Sequence, residues 1–187
     1  MKEIYLIDGS ALIYRSFYAI RDLRTLSGQP TNAIYGFVTT LLKIIKTRNP
    51  EYMCVFFDLK APTHRHDAFV GYKAQRKPMP DELVAQLSYI KKLTSLLGIM
   101  YMEKEGYEAD DLIATLTERF KAENKIFIVT GDKDIMQVLD ENVVIVHPDG
   151  WKTFSAKDFM EKYGVEPQKM ADIIGLAGDV SDNIPGV

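Results

Sequence analysis

Short, continuous runs of apolar residues punctuate the chain at Ile4 to Ile7, Tyr52 to Phe57, Ile126 to Val129 and Val143 to Val146. They are rich in β-branched and aromatic side chains and do not alternate with polar ones, as expected of strands covered on both faces. Between them the apolar spacing changes to three and four. Ile34, Phe37, Val38, Leu41, Leu42 and Ile45 mark a helix over Asn32 to Thr47. Leu83, Val84, Leu87, Ile90, Leu93, Leu96 and Leu97 mark another over Asp81 to Leu97, and Leu112, Ile113, Leu116 and Phe120 a third over Ala109 to Lys121. Strands alternating with helices predict an α/β fold, a mostly parallel central sheet with helices on both faces. Gly98 suits the C-cap of the second helix, ahead of a short extra strand over Ile99 to Met102. Ser155 caps a helix through Tyr163, closed by Gly164, and Pro167 opens another reaching Leu176.

A chain of 187 residues can bury a real core without disulfides, so a single compact domain is expected. The sole cysteine, Cys54, lies inside an apolar run and reads as a small buried side chain, in keeping with a reducing cytosol. The N-terminus shows no export signal, and no apolar run approaches the ~20 residues that span a bilayer. A cytoplasmic protein without membrane contact is therefore expected.

A formal charge of −3 argues at first against a nucleic-acid partner. The distribution changes that picture. Between Lys60 and Pro80 stand Lys60, Arg65, Lys73, Arg76 and Lys77, with His64 and His66, against the single acid Asp67. This stretch lacks apolar periodicity, and long loops in compact domains are usually functional or disordered. Its cations, mixed with Phe69 and Tyr72, suit a channel that tracks a single strand and stacks its bases. A solvated mobile loop explains the same residues equally well.

The acids fall where open α/β sheets bind ligands, at the carboxyl ends of strands. Asp8 and Asp58 each follow a predicted strand directly, and Asp132 and Asp134 follow a third through Thr130 and Gly131. Glu108, Asp110 and Asp111 open the helix at Ala109, and Asp179 and Asp182 repeat a spacing of three near the C-terminus. Singly, each has a bland reading: a turn at Asp8, helix-dipole acids at Asp110 and Asp111, an N-cap at Asp134 for a helix over Ile135 to Leu139. Together they would repel one another unless divalent cations intervened. An all-oxygen set points to magnesium or manganese rather than zinc, and two such ions about 4 Å apart suit in-line phosphodiester displacement. Arg15, in the aromatic turn Tyr14 to Tyr18, could grip phosphate or form a surface ion pair. His147 and Trp151 read as structural.

Six motifs now line up in order: Asp8-Gly9-Ser10 with Tyr14-Arg15; Phe56-Phe57-Asp58 with Arg65; Tyr72-Lys73 with Arg76; Gly106-Tyr107-Glu108-Ala109-Asp110-Asp111; Thr130-Gly131-Asp132-Lys133-Asp134; and Gly178-Asp179-Val180-Ser181-Asp182-Asn183-Ile184-Pro185-Gly186-Val187. The series closely resembles the 5′ nuclease domain at the N-terminus of bacterial DNA polymerase I, within the flap endonuclease family. The resemblance implies a PIN-like 5′ nuclease fold and two magnesium or manganese ions. Asp8, Asp58, Glu108, Asp110 and Asp111 would serve the first ion, and Asp132, Asp134, Asp179 and Asp182 the second. It implies phosphate contacts from Arg15, Arg65, Lys73 and Arg76, with Arg15, Lys73 and Arg76 taking part in catalysis and Tyr72 and Lys77 joining the substrate-binding set.

Residues 1–175 would form the catalytic domain, including a basic arch over residues 60–80. Residues 176–187 would begin a truncated helix-hairpin-helix region that grips duplex, so the chain reads as a fragment. The implied substrate is DNA with a 5′ flap or 5′ end, or an RNA primer hybrid. A polymerase region in the full-length chain and a monomeric state are the further expectations. Rival readings are a PIN-type single-strand ribonuclease, a catalytically silent DNA-structure binder and a phosphatase with an aspartyl nucleophile.

Overall fold

The computed structural model describes residues 1–187. Its strands are β1 (Lys2–Asp8), β2 (Tyr52–Phe56), β3 (Met100–Met102), β4 (Asn124–Val129), β5 (Val143–Val146) and β6 (Thr153–Phe154). Its helices are α1 (Gly9–Ala19), α2 (Asn32–Arg48), α3 (His64–Ala68), α4 (Asp81–Leu96), α5 (Ala109–Phe120), α6 (Ala156–Tyr163) and α7 (Met170–Ala177). The sheet runs β3-β2-β1-β4-β5-β6, with every pairing parallel except β5–β6.

Side chains alternate across the strands, so β1 feeds two cores at once. Tyr5 and Ile7 pack with Leu12 and Ile13 of α1, Phe37 and Leu41 of α2, and Leu83 and Ile90 of α4. Leu6 points the other way, toward Ile113 of α5, Phe159 of α6 and Met170 of α7. Burial on both faces is why the strand sequences run apolar without a break.

Three segments differ from the sequence expectation. The stretch from Lys60 to Lys77 contains α3 and successive turns, and Tyr72 within it is buried. The helix expected over Ile135 to Leu139 is a 3-10 turn over Asp134–Val138, with Lys133 rather than Asp134 in the cap position. The helix opened by Pro167 starts as a 3-10 turn over Pro167–Lys169 and becomes α-helical only in α7. No helix is long and apolar enough to cross a membrane.

Candidate metal centre and nucleic-acid interface

Asp8 ends β1 and caps α1 in the same stroke. Its Oδ1 accepts from the Ala11 N–H at 2.9 Å, and its Oδ2 accepts from the Thr130 hydroxyl at 2.8 Å, just beyond β4. Burial pushes its pKa up to about 7 against those two bonds, with Asp58 and Asp132 adding repulsion. Asp58, beyond β2, is fixed at both ends: its N–H donates to the Ser10 hydroxyl at 2.8 Å, and its Oδ1 accepts from Ala109 N–H at 2.7 Å. A strand-end carboxylate thus meets the positive end of α5.

Glu108 occupies the N-cap of α5 and accepts from the Tyr72 hydroxyl at 3.0 Å and from Lys73 Nζ at 2.7 and 2.8 Å. Asp111 returns the capping contact through Glu108 N–H at 2.9 Å and takes Arg65 bidentately at 2.7 and 2.8 Å. Burial would raise its pKa, but the Arg65 and Glu108 donors hold it below the ordinary carboxylate range. At Asp110 burial dominates and pushes the carboxyl up to about 6, opposed by Arg65 and reinforced by Asp111 and Glu108.

The second group is tighter. One oxygen each from Asp134, Asp179 and Asp182 lies within 4.8 Å of the others. Asp134 Oδ1 is buried with no hydrogen-bond partner, and burial, then Asp132, Asp179 and Asp182, push the group up to about 6. Burial also opposes the charge of Asp179, yet the Ser181 N–H and hydroxyl, at 2.8 and 2.6 Å, and Lys133, at 3.5 Å, hold its pKa down. Asp182 receives Arg76 at 2.6 Å and approaches Lys73 at 3.9 Å. Asp132 lies between the groups, its N–H on the Thr130 hydroxyl and its Oδ1 on Asp134 N–H, both at 3.0 Å.

Nine acids from distant parts of the sequence therefore line one sheet edge, beneath cations of the basic segment. Hard oxygen donors with an orphaned buried carboxylate oxygen among them fit magnesium or manganese, which favour oxygen ligands. Asp111, expected among the ligands, pairs both of its oxygens with Arg65 and one also with Glu108 N–H, much as Glu108 pairs both of its own with Lys73. Tyr72 corrects the expectation of base stacking, because the residue is only 6% exposed, its ring is edge-on to His66, and its hydroxyl supports Glu108. Arg15 forms the surface ion pair weighed against phosphate binding, with Asp149, and both line a cavity of about 110 Å³ with Asp8, Thr130 and His147. Lys77 is exposed.

Sequence reasoning missed Thr130, Ser10, Ser181, Lys133 and Asp149. Ser181 and Thr130 carried a local signal: Ser181 stands two residues after Asp179, where a serine can close a turn on the carboxylate, and the Thr130 hydroxyl accepts from the N–H of Asp132 two residues on. Their remaining contacts, and those of Ser10, Lys133 and Asp149, reach partners that only the fold brings near.

Residues 3–164 match the family of the 5′-3′ exonuclease, N-terminal resolvase-like domain. The chain belongs to this family. Among 5′-3′ exonuclease relatives, a 5′-3′ exonuclease of Aquifex aeolicus (strain VF5) is 45% identical over 188 residues, covering 100% of this chain and 65% of that protein. A thermostable DNA polymerase I of Thermus thermophilus is 45% identical over 186 residues, covering 99% of this chain and 22% of the polymerase. The chain thus spans less than two thirds of the first relative and under a quarter of the second. The fold is shared with the bacteriophage T5 D15 protein co-crystallised with metal ions, at a TM-score of 0.78 and 20% identity over 100% of this chain and 70% of that one. Flap endonuclease-1 from Methanococcus jannaschii shares it at 0.63 and 18%, over 100% and 66%. The 5′-3′ exonuclease fold therefore persists where most side chains have changed.

Proposed function

We propose that this domain hydrolyses DNA phosphodiesters where a 5′ flap meets duplex, and acts as a 5′-3′ exonuclease on free 5′ ends, RNA primers paired to DNA included. The observation that carries the reading is the meeting of two carboxylate groups, one holding the orphaned Asp134 oxygen, under Lys73 and Arg76. Asp134, Asp179 and Asp182 would hold one divalent ion, and Asp8, Asp58, Glu108, Asp110 and Asp111 another, with Asp132 between them. Magnesium or manganese, when bound, supplies an acidified water and charge stabilisation for the attacking and leaving oxygens.

The chain's own groups do the rest. Thr130 and Ala11 N–H fix both oxygens of Asp8, so that carboxylate reaches the reaction already oriented. Tyr72 and Lys73 do the same for Glu108. Lys73 and Arg76 lie between the groups, where their charges can exchange carboxylate for the phosphate of the substrate and offset charge developing on it. Arg65, braced by Asp111, and Arg15 and Lys77 farther out, extend that cationic surface along the strand.

We assign the catalytic domain to residues 1–175, with residues 60–80 guiding the 5′ strand and residues 176–187 opening an element that grips duplex and lends Asp179 and Asp182 to the centre. A monomer in the cytosol, joined in full-length relatives of the polymerase kind to a polymerase region, completes the proposal. Asp110→Ala and Asp132→Ala should each lower magnesium-dependent cleavage of 5′-flap DNA by at least about a hundredfold, with circular dichroism unchanged. Turnover like that of the unaltered protein in both variants would overturn the proposal. So would preference for unstructured RNA over flap DNA in competition, which favours the single-strand ribonuclease.

A further inference from the structure

The basic segment and the Asp179–Asp182 loop touch through more than their ion pairs. Lys73 N–H donates to Asp182 C=O at 3.1 Å, and Arg76 Nε donates to Ser181 C=O at 3.3 Å. The Gln75 carboxamide donates to Val180 C=O, and the Asn183 carboxamide donates to Gly71 C=O at 2.9 Å. Residues 71–76 and 180–183, more than a hundred positions apart in sequence, are thus laced together by four hydrogen bonds whose acceptors are all main-chain carbonyls. Both sides turn sharply where they meet: Lys73 has φ 53° and Asn183 has φ 61°. That left-handed conformation costs most residues energy and asparagine little.

The lacing explains something the ion pairs do not. Lys73 bridges Glu108 of the first group and Asp182 of the second. A long, flexible lysine would not hold one location on the strength of such pairs alone, because side-chain entropy opposes it. Its backbone, in contrast, is fixed to the loop that carries Asp182 itself.

We propose that Asn183 is a positioning residue: with Gln75 opposite, it fastens the basic segment to the carboxylate loop, so that Lys73 and Arg76 arrive between the two acidic groups as one rigid unit. This rests on the nuclease reading above and adds to it the device that couples grip on the strand to the acidic centre. Asn183 touches neither the carboxylates nor, on this account, the reacting phosphate. It acts through Lys73 and Arg76.

The test is Asn183→Gly, which tolerates the left-handed backbone and removes only the carboxamide, with Gln75→Ala as a second variant from the other side. Affinity for 5′-flap DNA is measured in calcium, hydrogen exchange is followed over residues 71–76, and manganese binding is titrated by calorimetry. Loss of one such hydrogen bond should weaken flap binding about fivefold and quicken exchange in the segment by a similar factor. Manganese affinity should stay within about twofold, since no ligand has changed. On a Lys73→Ala/Arg76→Ala background Asn183→Gly should cost nothing further, whereas a merely structural residue would add its own loss. Unchanged exchange and affinity in both single variants, or a full additional loss on the double background, overturns the role of Asn183. Failure of the unaltered protein to cleave flap DNA in manganese overturns instead the reading on which it rests.

Discussion

At the scale of single residues the centre is a balance between charge repulsion and its relief. Asp134, Asp179 and Asp182 hold three carboxylates within 4.8 Å, and Asp134 has neither a cation nor a donor on its buried Oδ1. Lys133 relieves Asp179, and Arg76 relieves Asp182, but both act on the rim of the group. Asp134→Asn removes the least compensated charge while keeping the shape, so it should stabilise the protein in chelator. A gain of about 1 kcal/mol, a rise in Tm of about 2–4 °C, is expected for a chain of this size. Adding manganese should then raise the Tm of the unaltered protein well above that of the variant, because the stabilisation from ion binding grows with the logarithm of its affinity. Thermal melts with and without manganese decide the matter: a variant less stable than its parent in chelator would show that repulsion does not dominate there. None of this balance was readable from the acids alone. Their number and positions were visible, because each follows a strand or opens a helix, but which one lacks a partner depends on contacts such as Arg65 with Asp111 that join residues 46 positions apart.

At the scale of elements, periodicity carried most of the information. The predicted strands and long helices lie within two residues of those in the fold, since β1, β2, β4 and β5 are buried on both faces and α2, α4 and α5 each present an apolar stripe. What escaped was most of the eleven-residue α1, of which only the turn Tyr14 to Tyr18 was expected, and elements that were short or dependent on a neighbour. Two-residue β6 exists only because β5 offers it an edge, and α3 is five residues without a buried position, too short for a period to register. Helix ends were also set from afar. Thr31 caps α2 in position only, and its side chain makes no capping bond. The Ala33 and Ile34 N–H groups donate instead to Gln86 Oε1 of α4 at 3.0 and 3.2 Å. Gln86 Nε2 donates to Asn32 Oδ1 at 2.9 Å, and Asn32 Nδ2 in turn donates to Phe17 C=O at the end of α1. One fully buried amide therefore locks α1, α2 and α4, the helix into which the basic segment runs. Gln86→Leu keeps the volume and strands two N–H groups and one amide oxygen. A loss of about 3 kcal/mol in urea unfolding is expected; a loss below about 1 kcal/mol would mean the helices are held by packing alone.

For the molecule as a whole, the decisive feature is the place where the chain reverses its direction of build. From β1 the crossovers run outward to β2 and β3, and α5 then carries the chain back to β4 on the other side of β1. The crevice of an open sheet lies at such a reversal, and here the Asp8–Thr130 hydrogen bond spans it. How the ends of β1 and β2 stand relative to one another is set by Gly9, where α1 begins with no intervening loop. A Cβ at that position would lie 2.5 Å from Phe57 Cε1 and 2.6 Å from Val55 Cγ1, both within the core. Alanine is better than glycine in a helix by about 1 kcal/mol, so propensity and packing oppose each other at this site. Packing should win, because neither Val55 nor Phe57 has room to withdraw, and overpacking a dense core costs about 1–3 kcal/mol. Gly9→Ala should thus lower Tm by several degrees and tilt α1 away from β2, carrying Asp8 and Arg15 away from Asp58. Manganese titration gives the sharper reading: affinity should fall although no carboxylate has been touched. Affinity and Tm both equal to those of the parent would mean that the spacing of the strand-end carboxylates does not depend on the close approach of α1 to β2.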